Sequence, residues 1–170
     1  WSSDVCSSDL ARTRHALAGA AGRLEIFPFL VRGAMGVDRL AINVVTAVAG
    51  AQGRIVIYDA DANGRPANLL LETADLDCST TGVKEATASL SLVQGRILWI
   101  GLRHSAAFQI SGWTSAMTPD LPGGTLPVTS SRKVLRRTVA YSTAAPATWG
   151  YTSTEITASA IAPAIWLRIA

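Results

Sequence analysis

The chain has 170 residues, 49% of them hydrophobic and only 16% charged. That length can bury one sizeable core, and the scarcity of charge beside abundant Ser, Thr, Ala and Gly argues against a helical bundle. Net charge is +3 with a pI of about 9.2, too mild a basic excess to call for nucleic acid. No apolar run reaches the ~18 residues of a spanning helix, so membrane insertion is not expected either.

The first ten residues, WSSDVCSSDL, repeat an SSD motif and fit neither a strand nor a helix period. They resemble translated sequencing-adapter read-through at the ends of metagenomic open reading frames, and a start at Trp1 rather than Met fits a fragment. Residues 1–22 are therefore expected to be a non-native or disordered segment, with one domain over 23–170. Cys6 then lies outside the fold and Cys78 has no partner.

From Leu24 to Arg32 the run LEIFPFLVR is strongly apolar, and Pro28 predicts an edge strand or a bulge. Over Val37–Val48, Leu40, Ile42 and Val44 recur at period two, which predicts a strand with one buried face. Its β-branched content disfavours a helix.

The segment Arg54–Asp77, RIVIYDADANGRPANLLLETADLD, holds two apolar runs around a turn of Asp, Asn, Gly and Pro, and reads as adjacent antiparallel strands. Over Val83–Leu92, Ala86, Ala88, Leu90 and Leu92 face one way and polar residues the other, so one side is wet. Gln94-Gly95 predicts a hairpin into Ile97–Leu102 (ILWIGL), which is apolar on both faces and expected to be central.

Phe108–Ile110 is a short strand. Ser111–Arg132 is rich in Gly, Pro and Thr without a period, and so long a loop in a compact domain points to function. Lys133–Tyr141 returns to strand. Arg132, Lys133, Arg136 and Arg137 are dispersed over two faces there, as on a solvated edge strand. A second irregular stretch, Ser142–Glu155, precedes two closing strands. About eight to ten short strands at this spacing predict an all-β fold, an antiparallel β-sandwich of jelly-roll type.

Five candidate chemistries emerge. Asp59, Asp61, Asn63 and Gly64 match the opening of a calcium loop. The twelfth position, however, is Leu70, and an Asx-stabilised turn accounts for the same letters. Ser130 and Lys133 form S-x-x-K, but in a strand the two side chains diverge. His104 stands without a metal-ligand cluster and is expected at the surface. Glu72, Asp75, Asp77 and Glu85 could supply a glycosidase pair, though nothing marks any two as buried together. No cofactor, metal or catalytic set is expected.

Aromatics in the irregular stretches are more suggestive. Trp113, Trp149 and Tyr151 could stack on sugar rings, anchor subunits, or plug the ends of the sandwich. Asp120 and Arg132 are candidate polar partners for such a ligand.

The run Leu24–Leu102, through IFPFLV, VDRLAINVVTA, RIVIYDADANGRPANLLLETADLDCSTTGVKEA and ILWIGL, resembles a C-terminal domain of bacteriophage tail fibre and minor tail proteins. WTSA, TPDLPGG and RKVLRRTVAY look like that family's variable end. The resemblance implies a β-sandwich on the virion surface, often trimeric, that adheres to host cell-surface polysaccharide without catalysis. A structural role in virion assembly, through oligomer contacts, is the alternative, and a glycan-cleaving enzyme a third.

Overall fold

The structure, a computed structural model, describes residues 14–114, 134–152, 156–157 and 161–170, and no helix occurs among them. The strands are β1 (Arg14–Ala18), β2 (Arg23–Leu30), β3 (Met35–Thr46), β4 (Gln52–Ala60), β5 (Pro66–Glu72), β6 (Leu76–Asp77) and β7 (Gly82–Leu92). They continue with β8 (Ile97–His104), β9 (Gln109–Thr114), β10 (Val134–Thr138), β11 (Ile156–Thr157), β12 (Ile161–Pro163) and β13 (Trp166–Ile169).

These strands form two antiparallel sheets packed face to face. The first runs β1-β9-β3-β13, with β7 on β3 and β12 on β9; the second runs β11-β10-β2-β8-β4-β5, with β6 on β4. The chain passes repeatedly from one sheet to the other, so neighbouring strands are mostly distant in sequence. The all-β sandwich expected from the strand pattern is what the chain forms.

The alternation in β3 sets the inter-sheet core. Leu40, Ile42 and Val44 point inward and meet Ile55 and Ile57 of β4 and Leu98, Ile100 and Leu102 of β8, all essentially without solvent exposure. Strand β8 is central, as its two-sided apolarity predicts, and is paired with β2 along one edge and β4 along the other. In β7, Ala86 and Leu92 turn to the core while Glu85, Thr87 and Ser89 face water.

The second sheet is apolar on its outer face as well. Leu24, Ile26, Val56, Tyr58, Trp99 and Leu135 form a second core there, closed by Ala145 and Trp149 from the segment 139–151. That strap lies flat on the sheet because its backbone is tied to β5: Leu69 N donates to the Ala147 carbonyl at 2.9 Å and Trp149 N to the Ala67 carbonyl at 2.7 Å. Tyr58 Oη donates to the Pro146 carbonyl at 3.0 Å, and its ring meets the Trp149 indole edge-on, with centroids 5.2 Å apart.

Several expectations change. The domain boundary does not fall before residue 23: β1 pairs with β9 from Arg14 to Ala18, and Gly19 and Gly22 donate to the Phe108 and His104 carbonyls. Strand β2 is interior rather than an edge, lying between β8 and β10. Among the described residues β10 pairs with Arg23–Ile26 and not with Pro28, so the proline lies beyond the stretch seen to be doubly paired. Nor is β10 a solvated edge, since Arg136 turns inward to a buried carboxylate and Arg137 lies over the Trp149 ring at 4.5 Å.

Trp149 is only 1% exposed, so its truncation should leave a large void under the strap. Trp149→Ala is expected to lower unfolding free energy by about 3–5 kcal/mol, read as a reduced urea midpoint. A midpoint within error of the parent protein would show that the indole does not close this core.

Candidate functional site

The sequence candidates separate in space. Trp149 is buried and cannot offer a ring face to a ligand, which corrects its assignment as a stacking residue. Its irregular-looking segment is apolar because it covers a sheet. Tyr151 is half-buried on the same outer face, packed against that second core with the Arg65 guanidinium 5.2 Å from its ring centre. Trp113 belongs to β9, in the opposite sheet, so the three aromatics do not form one site. Asp120, Arg132 and the Ser130/Lys133 pair lie outside the described residues.

The Asp-rich turn is held by its own backbone. Asp61 Oδ1 accepts from the amides of Asn63 and Arg65 at 2.8 and 2.9 Å, an Asx turn in which Gly64 takes a φ of 75°. Asp59 accepts from the Asn68 amide and side chain. With both carboxylates occupied this way, the turn explains itself without calcium. No group of three or more metal-ligating side chains occurs among the described residues.

Two of the acids considered for glycan cleavage, Glu72 and Asp75, serve the strap. Arg103, 1% exposed, pairs with Glu72 and donates to the carbonyls of Ala140 at 2.9 Å and Thr143 at 2.7 Å. Glu72 also accepts from the Ala145 amide at 2.9 Å. Asp75 takes Arg54 Nε at 2.6 Å and the Tyr141 hydroxyl at 2.7 Å, and these donors hold its carboxyl below the usual range. Asp77 accepts from Ser79 within a tight turn. None of these is a free acid–base pair.

His104 is fully buried, which corrects its expected surface position. It packs on the Phe108 ring, centroids 4.8 Å apart, and occupies the space a side chain at Gly19 would need. Neither ring nitrogen has a hydrogen-bond partner among the described residues. Burial, with Arg23 and Arg136 adding positive charge, pushes its pKa down to about 3. On the same face of the next strand Glu25 is buried too, paired with Arg136; burial raises its pKa, opposed by the Arg136 charge. A substrate has no access to groups at 0% exposure, so this cluster is structural.

One groove open to solvent lies on the outer face of the first sheet. It encloses about 470 Å³ and is lined by Arg39, Ala41 and Asn43 of β3, Val83 and Glu85 of β7, and Trp166–Arg168 of β13. The registers fix its plan: Ala41 pairs with Trp166 on one side and Glu85 on the other, and Arg39 pairs with Arg168 and Thr87. Ala41 provides a shallow floor between an indole and a carboxylate. Asn43 Nδ2 donates to Ser111 Oγ at 3.0 Å, leaving its carbonyl oxygen for another donor. The Trp113 indole stands beside Trp166, centroids 5.9 Å apart and tilted by 56°, so the groove is flanked by an aromatic pair.

Of the sequence candidates, Glu85 lines this groove and Trp113 stands beside it against Trp166. Arg39, Asn43 and Trp166 went unmarked as ligand-facing residues because the alternation of a strand shows which residues face out but not which strands lie beside it. The small Ala41 within the outward row was the available signal. No protein-family model matches the chain, and no curated protein matches it significantly.

His104 carries a pH dependence with a defined sign. Its folded pKa lies below the unfolded 6.5, so its contribution to stability is complete above pH 6.5 and is lost as pH falls toward about 3. Each pH unit in that window should cost up to about 1.4 kcal/mol. Urea midpoints between pH 7 and 4.5 should fall for the parent and much less for His104→Leu. Equal slopes would remove His104 as the cause.

Proposed function

We propose that the chain is a non-catalytic glycan-binding module of a phage tail fibre, acting on the virion surface, and that it holds host polysaccharide on the outer face of its first sheet. The observation that carries the reading is the aromatic pair Trp113/Trp166 beside a groove whose other walls are Asn43, Glu85 and Arg39. A sugar has apolar C–H faces and a rim of hydroxyls, so it needs an aromatic surface next to mixed donors and acceptors. Indoles supply large contact area with few rotatable bonds. The phage setting rests on the strand-and-turn resemblance of Leu24–Leu102.

Binding to extracted lipopolysaccharide and capsule, followed by titration calorimetry, tests this. Trp166→Ala should weaken a positive polysaccharide at least about ten-fold, some 1.4 kcal/mol, with the urea midpoint little changed. Absence of saturable heat across the panel, or unchanged affinity in that variant, would defeat the reading.

A second reading, an assembly domain making oligomer contacts, is favoured by apolar exposure elsewhere. Leu30 and Ile97, register partners on β2 and β8, are 54% and 38% exposed, and Val93 in the adjoining turn is 64% exposed. Such a patch is commonly covered in an assembly. Light scattering should then give a trimer mass that Leu30→Ser/Ile97→Ser reduces to the monomer. A parent protein that is monomeric at micromolar concentration would discard it.

A further inference from the structure

The glycan reading leaves the kind of sugar open, and the state of Arg39 narrows it. Six arginines among the described residues with placed side chains are buried or half-buried: Arg23, Arg39, Arg54, Arg103, Arg136 and Arg137. Five have an acceptor. Arg23 and Arg136 meet Glu25, Arg54 meets Asp75, Arg103 meets Glu72, and Arg137 reaches the Gly150 carbonyl. Arg39 has no hydrogen bond or ion pair among the described residues. The adjacent acid, Asp38, is bonded by Arg168, whose Nε donates to it at 2.9 Å, so Arg39 acts on that carboxylate only through its charge and makes no bond to it. Glu85 makes no ion pair with Arg39 either.

A half-buried guanidinium forgoes part of its hydration and regains it only from an anion or several acceptors. Here the fork sits at one end of an open groove. We propose that the groove takes an acidic saccharide, one whose ring carries a carboxylate, and that Arg39 binds that carboxylate. The inference rests on the glycan reading above.

The plan of the face accommodates such a ring. Trp166 and Glu85 each lie one strand from Ala41, roughly 4.8 Å, while Arg39 and Asn43 each lie two residues along β3, about 6.6 Å. A pyranose above Ala41 is flanked by the indole on one side, with Glu85 accepting from its hydroxyls on the other. Its carboxylate then points along the strand to Arg39, where two parallel N–H···O bonds form. At the other end the Asn43 carbonyl accepts from a further hydroxyl. Glu85 disfavours the reversed pose, in which the carboxylate would approach it, so one orientation is selected.

Paired probes separate charge from shape. Trigalacturonate is compared with its methyl ester, and 3′-sialyllactose with lactose, by calorimetry at physiological ionic strength, where non-specific attraction is screened. At least one acid should bind about ten-fold or more tighter than its neutral partner. Arg39→Gln should erase that preference by lowering affinity for the acid far more than for its neutral partner, with the urea midpoint unchanged, and Arg39→Lys should restore it in part. Equal affinity for acid and neutral partner, or a preference that survives Arg39→Gln, overturns the acidic-sugar assignment and leaves the glycan reading standing. No saturable binding by either acid also overturns this assignment, and the glycan reading then depends on the polysaccharide panel and Trp166→Ala.

Discussion

The arrangement depends on one buried cation. Arg103 projects from β8 onto the outer face of the second sheet, where its guanidinium is shared between Glu72 and the carbonyls of Ala140 and Thr143. Those carbonyls belong to the strap, so the charge can be desolvated only when the strap is in place. Removing any acceptor would leave a cation in an apolar setting, a loss of several kcal/mol. Arg54, Asp75 and Tyr141 extend the same network toward solvent, with the Tyr141 ring lying over both guanidiniums. The strap is thereby fixed as a third layer.

That layer decides which face stays open to solvent. With Trp149, Ala145 and Tyr151 over Leu24, Ile26, Val56, Tyr58 and Trp99, the second sheet has little open surface at its centre. Among the described residues the first sheet has no such cover along β3 and β7, and its outward residues are mostly polar or small, Arg39, Ala41, Asn43, Glu85 and Thr87 beside the exposed Val45 and Val83. Two sheets of the same domain therefore follow opposite patterns, apolar on both sides where a strap lies and apolar on one side where water lies.

Much of this was legible in the residues. Period-two runs such as Leu40/Ile42/Val44 fix a strand and its buried face without any knowledge of partners. A strand apolar on both faces, like β8, has to be central. The turn at 61–65 also announced that β4 and β5 pair antiparallel, but the other strand neighbours, and what depends on them, were not legible. Trp149 looked like a loop aromatic open to a ligand, yet it is sealed, while Trp166, carried by a strand, faces the groove. A segment lacking periodicity can still be buried when it lies flat on a sheet, and a strand residue can face out. Glu25 and His104 went unrecognised as a buried pair for a related reason. Each sits within a strand, but only the register of β2 with β8 puts them on one inner face. Strand β1 was missed because ALAGAAG has little side-chain bulk to show alternation.

A site built on a sheet face differs physically from the loop-borne site that the sequence invited. Ala41, Arg39 and Asn43 lie in a strand paired along both edges over most of its length, and the indole of Trp166 is carried by a strand registered to it. The Asp38–Arg168 pair ties β13 to β3 on the same face, at the residue two beyond Trp166. The backbone beneath a ligand is therefore already ordered, and little conformational entropy remains to be lost on binding. Such a platform accepts modest contact area, because its few groups are held before the ligand arrives. Specificity then rests on outward side chains, which can change without disturbing the inward set of Leu40, Ile42 and Val44 that holds the fold.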